Sequence, residues 1–131
     1  MRHFVAYHSE DRMGYSAEEI NPFGLYTKKN ISSTGDKVWI IAGVGASPKQ
    51  YFLSSWFVIK KVTEAEHTDF EFQLHGEEGE AFDPMLRLDQ MPWFPAFRQR
   101  MANFSIGLTQ LDPTVITALQ QAVAEAGQPK A

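Results

Sequence analysis

The sequence predicts an α+β domain: a small mixed or antiparallel β-barrel of about six strands with short helices and a C-terminal helix. Three observations lead to this prediction. Short apolar segments bounded by turn residues recur along the chain, only one long segment has helical periodicity, and strands do not alternate with helices as in a doubly wound sheet. We expect residues 1–131 to form a single domain with a frayed tail at 125–131.

Most strands are predicted from short apolar or alternating segments. The clearest is the run of seven apolar residues at 38–44, which has the length of a strand buried on both faces. A link containing glycine and proline joins it to the aromatic and β-branched segment 51–62, as in a hairpin. Further strands are predicted at 3–8, 23–27, 70–74, 82–88 and 103–108, and the acidic stretch 76–81 is predicted to be a loop.

The strongest helix is predicted at 112–126. Asp112 suits the N-cap, Pro113 suits the first helical position, and Gly127 suits the residue after the end. One apolar stripe predicts packing against the sheet, and it consists of Val115, Ile116, Leu119 and Val123. Shorter helices are predicted at 92–101 and at 17–20, the latter with Ser16 as its N-cap.

The composition excludes several classes of protein. The chain has no cysteine, which removes disulfide frameworks, thiolate zinc sites and cysteine nucleophiles. No apolar run approaches the length of about 18 residues that a membrane-spanning helix needs, and the first residues lack the apolar region of a signal peptide. We therefore expect a protein of the reducing cytoplasm that has no membrane partner.

The formal net charge of −4 hides an uneven distribution. Residues 28–61 carry six lysines and one aspartate, whereas residues 62–90 carry nine acidic residues and one arginine. One interpretation is a basic face that attracts an anionic partner, opposite an acidic face. The other is that solvated lysines flank buried strands and keep them soluble.

Gly43 and Gly45 form a G-x-G pair at the end of the predicted strand 38–44. A dinucleotide-binding loop requires a third glycine and a helix that begins directly after it, whereas here Pro48 and another strand follow. The Gly-Lys-Ser/Thr ending of a Walker loop is also absent. The pair therefore predicts a turn.

Neither the histidines nor the serines follow a catalytic pattern. The four histidines lack metal-ligand spacing such as H-E-x-x-H, and no serine stands in a G-x-S-x-G turn. Paired carboxylates occur only in acidic segments that are predicted to be loops. We therefore expect no metal, no cofactor and no catalytic activity.

Large aromatic residues are numerous for a chain of this size, with ten phenylalanines, four tyrosines and three tryptophans. Core packing accounts for most of them. Neighbours in a strand point to opposite faces, so Tyr51 and Phe52, or Trp56 and Phe57, cannot both face one core. Some rings are then left to line a pocket, where they would stack on a flat base or contact a methyl group.

Several segments, taken in order, resemble EVE domains. FVAYHSEDRMGYSAEEI is similar to the opening of that family, NPFGLYTKKNISSTGDKVWIIAG to its next stretch, YFLSSWFVIKKV to its returning strand, and RMANFSIGLTQLDPTVITAL to its ending. EVE domains belong to the PUA-like barrels and are related to YTH domains, which read modified nucleobases. Segments such as VWIIAG and MPWFPAF look closer to EVE-like modules attached to HNH-type nucleases.

The resemblance implies a PUA-like barrel that binds a modified base of DNA or RNA at its mouth. It implies no catalytic activity. It implies base-binding roles for Ser9, Tyr15, Ser16, Tyr26, Trp39, Trp56, Trp93, Asn103 and Ser105. It implies phosphate-binding roles for Lys28, Lys29, Lys49, Lys60 and Lys61. It also suggests that the chain is the specificity module of a modification-dependent restriction or RNA-modification system.

Two other functions stay open at this stage. The first is a protein-interaction module that presents an exposed aromatic patch. The second is an enzyme that binds a small molecule or nucleotide, which would bring titratable groups together in a pocket. The direction of the Trp39 ring, into a pocket or into the core, is the observation that bears most on the choice.

Overall fold

The computed structural model describes residues 1–9, 23–27, 32–45, 49–64, 72–101 and 108–126. The elements, in chain order, are β1 His3–Ser9, β2 Gly24–Thr27, β3 Lys37–Val44, β4 Gln50–Glu64, β5 Phe72–Arg87, α1 Phe94–Arg100, β6 Thr109–Gln110 and α2 Pro113–Ala126. The strands form one sheet in the order β2-β5-β4-β3-β1-β6. Strands β1 and β3 are parallel and the other neighbours antiparallel, which confirms the α+β class and the mixed sheet.

The sheet is curled into a half-barrel and is not closed. Within the described ranges, the end strands β2 and β6 pair with β5 and β1 and not with each other. The barrel prediction is therefore correct for the curled sheet and wrong for the closure. Strands β4 and β5 are 15 and 16 residues long, and their pairing register shifts at several points. Such irregularities bend and twist strands, which accounts for the curl.

The acidic stretch 76–81 is the main departure from the predicted strands. It lies inside β5, and residues 76 and 78–81 all pair with β4, so the loop prediction is wrong and two predicted strands merge into one. Glu77, Glu78 and Glu80 are exposed on this strand, so their charges stay in water while the backbone pairs with β4. The helix predicted at 17–20 and, except for Leu108, the strand predicted at 103–108 lie outside the described residues.

Both faces of the sheet are buried. The helix-side core packs against α1 and α2 and includes Trp39, Ile41, Tyr51, Leu53, Phe94, Phe97 and Leu119. The opposite core consists of Ala6, Val38, Ile40, Phe57, Ile59 and Leu74. Two cores explain how neighbouring rings are accommodated, because Trp56 packs against the first core while Phe57 belongs to the second.

Asp36 holds the turn that leads into β3. Its carboxylate accepts the backbone N–H groups of Arg2 at 3.0 Å and Ser33 at 2.9 Å, and it pairs with the Arg2 guanidinium at 3.0 Å. Burial raises the pKa of Asp36, but these donors outweigh it and hold the pKa below its usual value. The turn therefore ties the first residues of the chain to the start of β3.

The G-x-G pair marks the end of a strand in a hairpin, as predicted. Strand β3 ends at Val44, Gly45 has a φ of 83°, and β4 begins at Gln50 antiparallel to β3. A strand therefore stands where a phosphate-binding loop would place the start of a helix.

Helix α2 confirms the predicted start signal. The Asp112 carboxylate accepts the backbone N–H of Val115 at 3.0 Å, three residues on, which is the geometry of an N-cap. Val115, Leu119 and Ala122 form its buried face. No helix in the described ranges is long and apolar enough to span a membrane.

Removing the cap should cost measurable stability. We expect Asp112→Ala to lower the free energy of unfolding by about 1 kcal/mol in urea titrations. Asp112 also pairs with Arg100, so Asp112→Asn, which keeps the capping oxygen and removes the charge, is the control. Equal losses in both variants would assign the stabilisation to the ion pair and contradict the cap.

Candidate functional site

The ring of Trp39 lies in the helix-side core. The residue is 1% exposed. Its indole N–H donates to Nδ1 of His3 at 3.1 Å, and the two rings stack with their centroids 6.2 Å apart. The ring therefore fills core space, and its one polar group is satisfied within the chain.

Trp56 stands opposite Trp39 in the β3–β4 register, with ring centroids 6.4 Å apart. The Nζ of Lys37 lies 4.2 Å from the ring centroid of Trp39 and 3.8 Å from that of Trp56. The indole N–H of Trp56 donates to Glu80 at 3.3 Å. We name these residues, His3, Lys37, Trp39, Trp56 and Glu80, the tryptophan–lysine cluster.

The electrostatics of the tryptophan–lysine cluster do not favour an anion. Burial lowers the pKa of Lys37, while the nearby carboxylates of Glu80 and Glu78 act in the opposite direction and favour its charged form. Those two carboxylates would repel a phosphate. A base could stack on these indoles only after displacing Lys37 or His3, because both side chains already cover the rings.

A second aromatic group occupies the other end of the same face. The rings of Tyr7 and Tyr51 are 5.9 Å apart, and those of Tyr51 and Phe94 are 5.3 Å apart. The Arg98 guanidinium carbon lies 5.2 Å from the Tyr51 ring centroid. With Gly43, over which Tyr7 lies, these residues form the tyrosine–arginine cluster.

Gly43 belongs to this cluster because it has no side chain. A Cβ atom there would come within 2.7 Å of Cζ of Tyr7 and closer still to the Tyr7 hydroxyl. The phenol therefore lies directly against the backbone of β3. The first glycine of the G-x-G pair provides room for a neighbouring ring, and it has no phosphate-loop geometry.

The topology brings two of the predicted site residues to the tyrosine–arginine cluster. Because β1 and β3 are parallel, both end at the same edge, and Ser9, the last residue of β1, pairs with Gly43. Gly43 also pairs with Tyr51 of β4, and Lys49 lies just before that strand. Gly43 lies six positions along β3 from Lys37, about 20 Å in an extended strand, so the two clusters lie toward opposite ends of β3.

The charged groups beside Tyr51 favour the binding of an anion more than those of the tryptophan–lysine cluster do. The backbone N–H of Tyr51 donates to Asp89 at 3.3 Å, and the Arg87 guanidinium donates twice to the same carboxylate, at 2.9 and 3.1 Å. The Arg87 donors hold the pKa of Asp89 below its usual value. Arg87 thus balances the charge of Asp89, while Arg98 over the Tyr51 ring and Lys49, two residues before Tyr51, bring two positive charges to this end of the sheet.

Trp93 and Tyr26 lie apart from the Trp39–Trp56 pair. The ring of Trp93, just before α1, contacts Phe94 at 5.9 Å and Phe97 at 5.8 Å, so it borders the tyrosine–arginine end. Tyr26 lies on β2 and pairs with Gln73 of β5, whose partner on β4, Thr63, is seven residues along the strand from Trp56. The remaining predicted residues lie outside the described ranges, and they are Tyr15, Ser16, Asn103, Ser105, Lys28 and Lys29.

The uneven charge of the sequence does not persist on the sheet. Strand β4, from the basic segment, pairs with β5, from the acidic segment. Lys60 forms an ion pair with Glu77 at 2.6 Å, and Lys61 stands opposite His75 in the register. The charge of Lys60 is therefore balanced by an acidic residue, which weakens the attraction of this region for phosphates.

Sequence reasoning assigned no site role to Tyr7, Arg98, His3 or Lys37. One signal was available for Lys37, because residues two apart in a strand share a face and Trp39 follows at that spacing. Arg98 carried no such signal, since its place over Tyr51 depends on how α1 packs on the sheet. In the part of the chain that the structure describes, no three acidic or histidine side chains stand close enough to hold a metal ion.

Comparison with known proteins adds no family to this geometry. Neither the protein-family models nor the curated proteins give a match to the chain.

Proposed function

We propose that this chain is a non-catalytic module that binds nucleic acid through an unstacked base at the tyrosine–arginine cluster. The observation that carries the proposal is the Arg98 guanidinium over the Tyr51 ring, beside Tyr7 and Phe94. Aromatic rings and guanidinium planes are the surfaces on which proteins stack single-stranded or extruded bases. Arg98 is exposed, which places its guanidinium at the surface within reach of such a base.

The charge distribution supports this end of the sheet over the other. Arg98 and Lys49 stand near Tyr51 while Asp89 is paired with Arg87, whereas Glu78 and Glu80 stand beside the two tryptophans. Phosphate contacts supply most of the affinity of nucleic-acid binding and make it sensitive to salt. The resemblance to EVE domains supports a modified base as the preferred ligand.

Replacing Arg98 with alanine should weaken binding about tenfold, because it removes a stacking plane and a charge. The measurement is fluorescence anisotropy with labelled single strands of about 12 nucleotides. The strands are DNA and RNA, each unmodified or carrying 5-methylcytosine or 6-methyladenine. Wild-type affinity should fall steeply as salt is raised.

Arg100→Ala is the matched control. It removes the same charge from the same helix, but Arg100 pairs with Asp112 and has no ring beneath it in the described structure. We expect a loss of less than about threefold for this variant, since it removes at most a distant charge. Equal losses for both variants would reject stacking on Arg98. Salt-independent or undetectable binding of the wild type to every strand would reject the function.

A further inference from the structure

The hydrogen bond between Trp39 and His3 specifies the protonation state of the imidazole. An indole N–H is a donor only, so Nδ1 of His3, 3.1 Å away, must carry a free lone pair. The neutral ring with its proton on Nε2 meets this requirement. A second proton, placed on Nδ1, would leave the buried indole N–H without its acceptor.

The surrounding charges act against that second proton. From β3, Lys37 holds its ammonium over Trp39, and the amino group of Met1 adds a second positive charge. Among the described residues, Asp36 is the group acting on His3 that favours protonation. Burial, Lys37 and the Met1 amino group, in that order, lower the pKa of His3. From β5, Glu78 and Glu80 act on Lys37, and Glu80 also accepts the Trp56 N–H.

We propose that His3 is a pH-sensitive latch, whose protonation breaks the Trp39–His3 hydrogen bond and loosens the tryptophan–lysine cluster. Protonation of His3 affects more than the cluster, because two backbone hydrogen bonds beside the cluster connect three parts of the fold. The Lys37 N–H donates to the Arg2 carbonyl at 2.9 Å, and the Leu111 N–H donates to the His3 carbonyl at 2.8 Å. Loosening His3 therefore weakens the attachment of β1 to β3 and to the segment that leads into α2.

The direction of the pH effect follows from the lowered pKa of His3. Above about pH 6.5, the ordinary pKa of a histidine, His3 is neutral in both the folded and the unfolded protein. The Trp39–His3 hydrogen bond then contributes its full stabilisation to the folded state. As the pH falls below that value, His3 binds a proton more readily in the unfolded protein than in the folded one. The stabilisation by the latch is therefore lost on acidification.

The test compares the wild type with His3→Gln between pH 8 and pH 5, with any tag placed at the C-terminus. A glutamine oxygen accepts the indole N–H at every pH. We expect the folded-to-unfolded ratio, from urea titrations, to fall about fivefold more in the wild type than in His3→Gln. The resonance of the Trp39 indole N–H should shift over the same pH range in the wild type alone, while far-UV circular dichroism stays constant.

Two further variants keep the proposal falsifiable. Trp39→Phe removes the donor and keeps a ring, so it should also lose the extra pH dependence, which provides a second test if His3→Gln does not fold. His75→Gln, which changes a histidine bonded to Thr63 on another strand pair, should behave as the wild type. The same pH dependence in wild type and His3→Gln, or its loss in His75→Gln, would overturn the latch.

Discussion

Replacing Trp39 with alanine is expected to lower the free energy of unfolding by about 4 kcal/mol, the largest effect of any variant considered. The side chain is among the largest that are fully buried, and it contacts His3 and Trp56 while Lys37 lies over its ring. Alanine would leave a cavity lined by groups that cannot close around it, since the β3–β4 ladder holds both strands in place. Urea titration followed by circular dichroism measures the loss.

Trp56→Ala is the matched control for this effect. It deletes the same side chain from the opposite position on β4, but Trp56 is only half-buried. We expect a loss of about 1.5 kcal/mol, because less apolar area leaves water when this ring packs. A loss in Trp39→Ala no larger than in Trp56→Ala would show that the Trp39 ring is not a core element in solution.

Replacing Gly79 with alanine is expected to destabilise the fold by about 3 kcal/mol. A Cβ atom there would meet the backbone of β4, closest at the carbonyl oxygen of Trp56 and 2.9 Å from Cα of Phe57, and it would stand 2.9 Å from the Phe23 ring. A backbone held in a ladder cannot move aside as a side chain can. The loss should appear in urea titrations, with the transition moving to a lower urea concentration.

Gly43→Ala is the comparison for Gly79→Ala, because the clash it introduces is with a side chain and not with the backbone. The three atoms nearest to its Cβ would all belong to the ring and hydroxyl of Tyr7, a side chain that can rotate. We expect a loss of about 1 kcal/mol, and the loss should shrink when Tyr7→Ala is added. A larger loss at Gly43 than at Gly79 would contradict the argument from backbone clashes.

Local signals were reliable where a few neighbouring residues decide the structure. The Asp112-Pro113 start of α2, the turn after Gly43 and the apolar strand β3 were all predicted, because caps, turns and apolar runs act through residues close in the chain. The loop prediction for 76–81 failed for the opposite reason. The charged residues there belong to a strand whose pairing with distant β4 the local composition does not reveal.

Register decides which aromatic rings meet, and the register depends on one extra residue. Ile41 pairs with Leu53 but Ile40 pairs with Ser55, so Ser54 has no partner on β3. Without this bulge, Trp39 would pair with Ser55 and Trp56 would turn to the opposite face. The sequence of β4 alone does not mark Ser54 as the irregular position.

The distribution of charge likewise depends on contacts between distant segments of the chain. The lysines and acids are segregated along the chain, and the sheet then places β4 beside β5, so that Lys60 pairs with Glu77. The positive side chains to which we assign the proposed function lie instead near Tyr51, where Arg98 of α1 and Lys49 before β4 come from different parts of the chain. No run of charge in the sequence indicates that place.

The sequence by itself determined the class of the fold, the strand-rich architecture, the hairpin, the start of α2 and the surplus of aromatic rings, since each depends on composition or on short-range order. The tertiary structure alone decided that the sheet curls without closing, that Trp39 is buried against His3, and that Arg98 covers Tyr51. These features follow from strand register and helix packing, which join residues far apart in the chain, and no local pattern encodes such pairings.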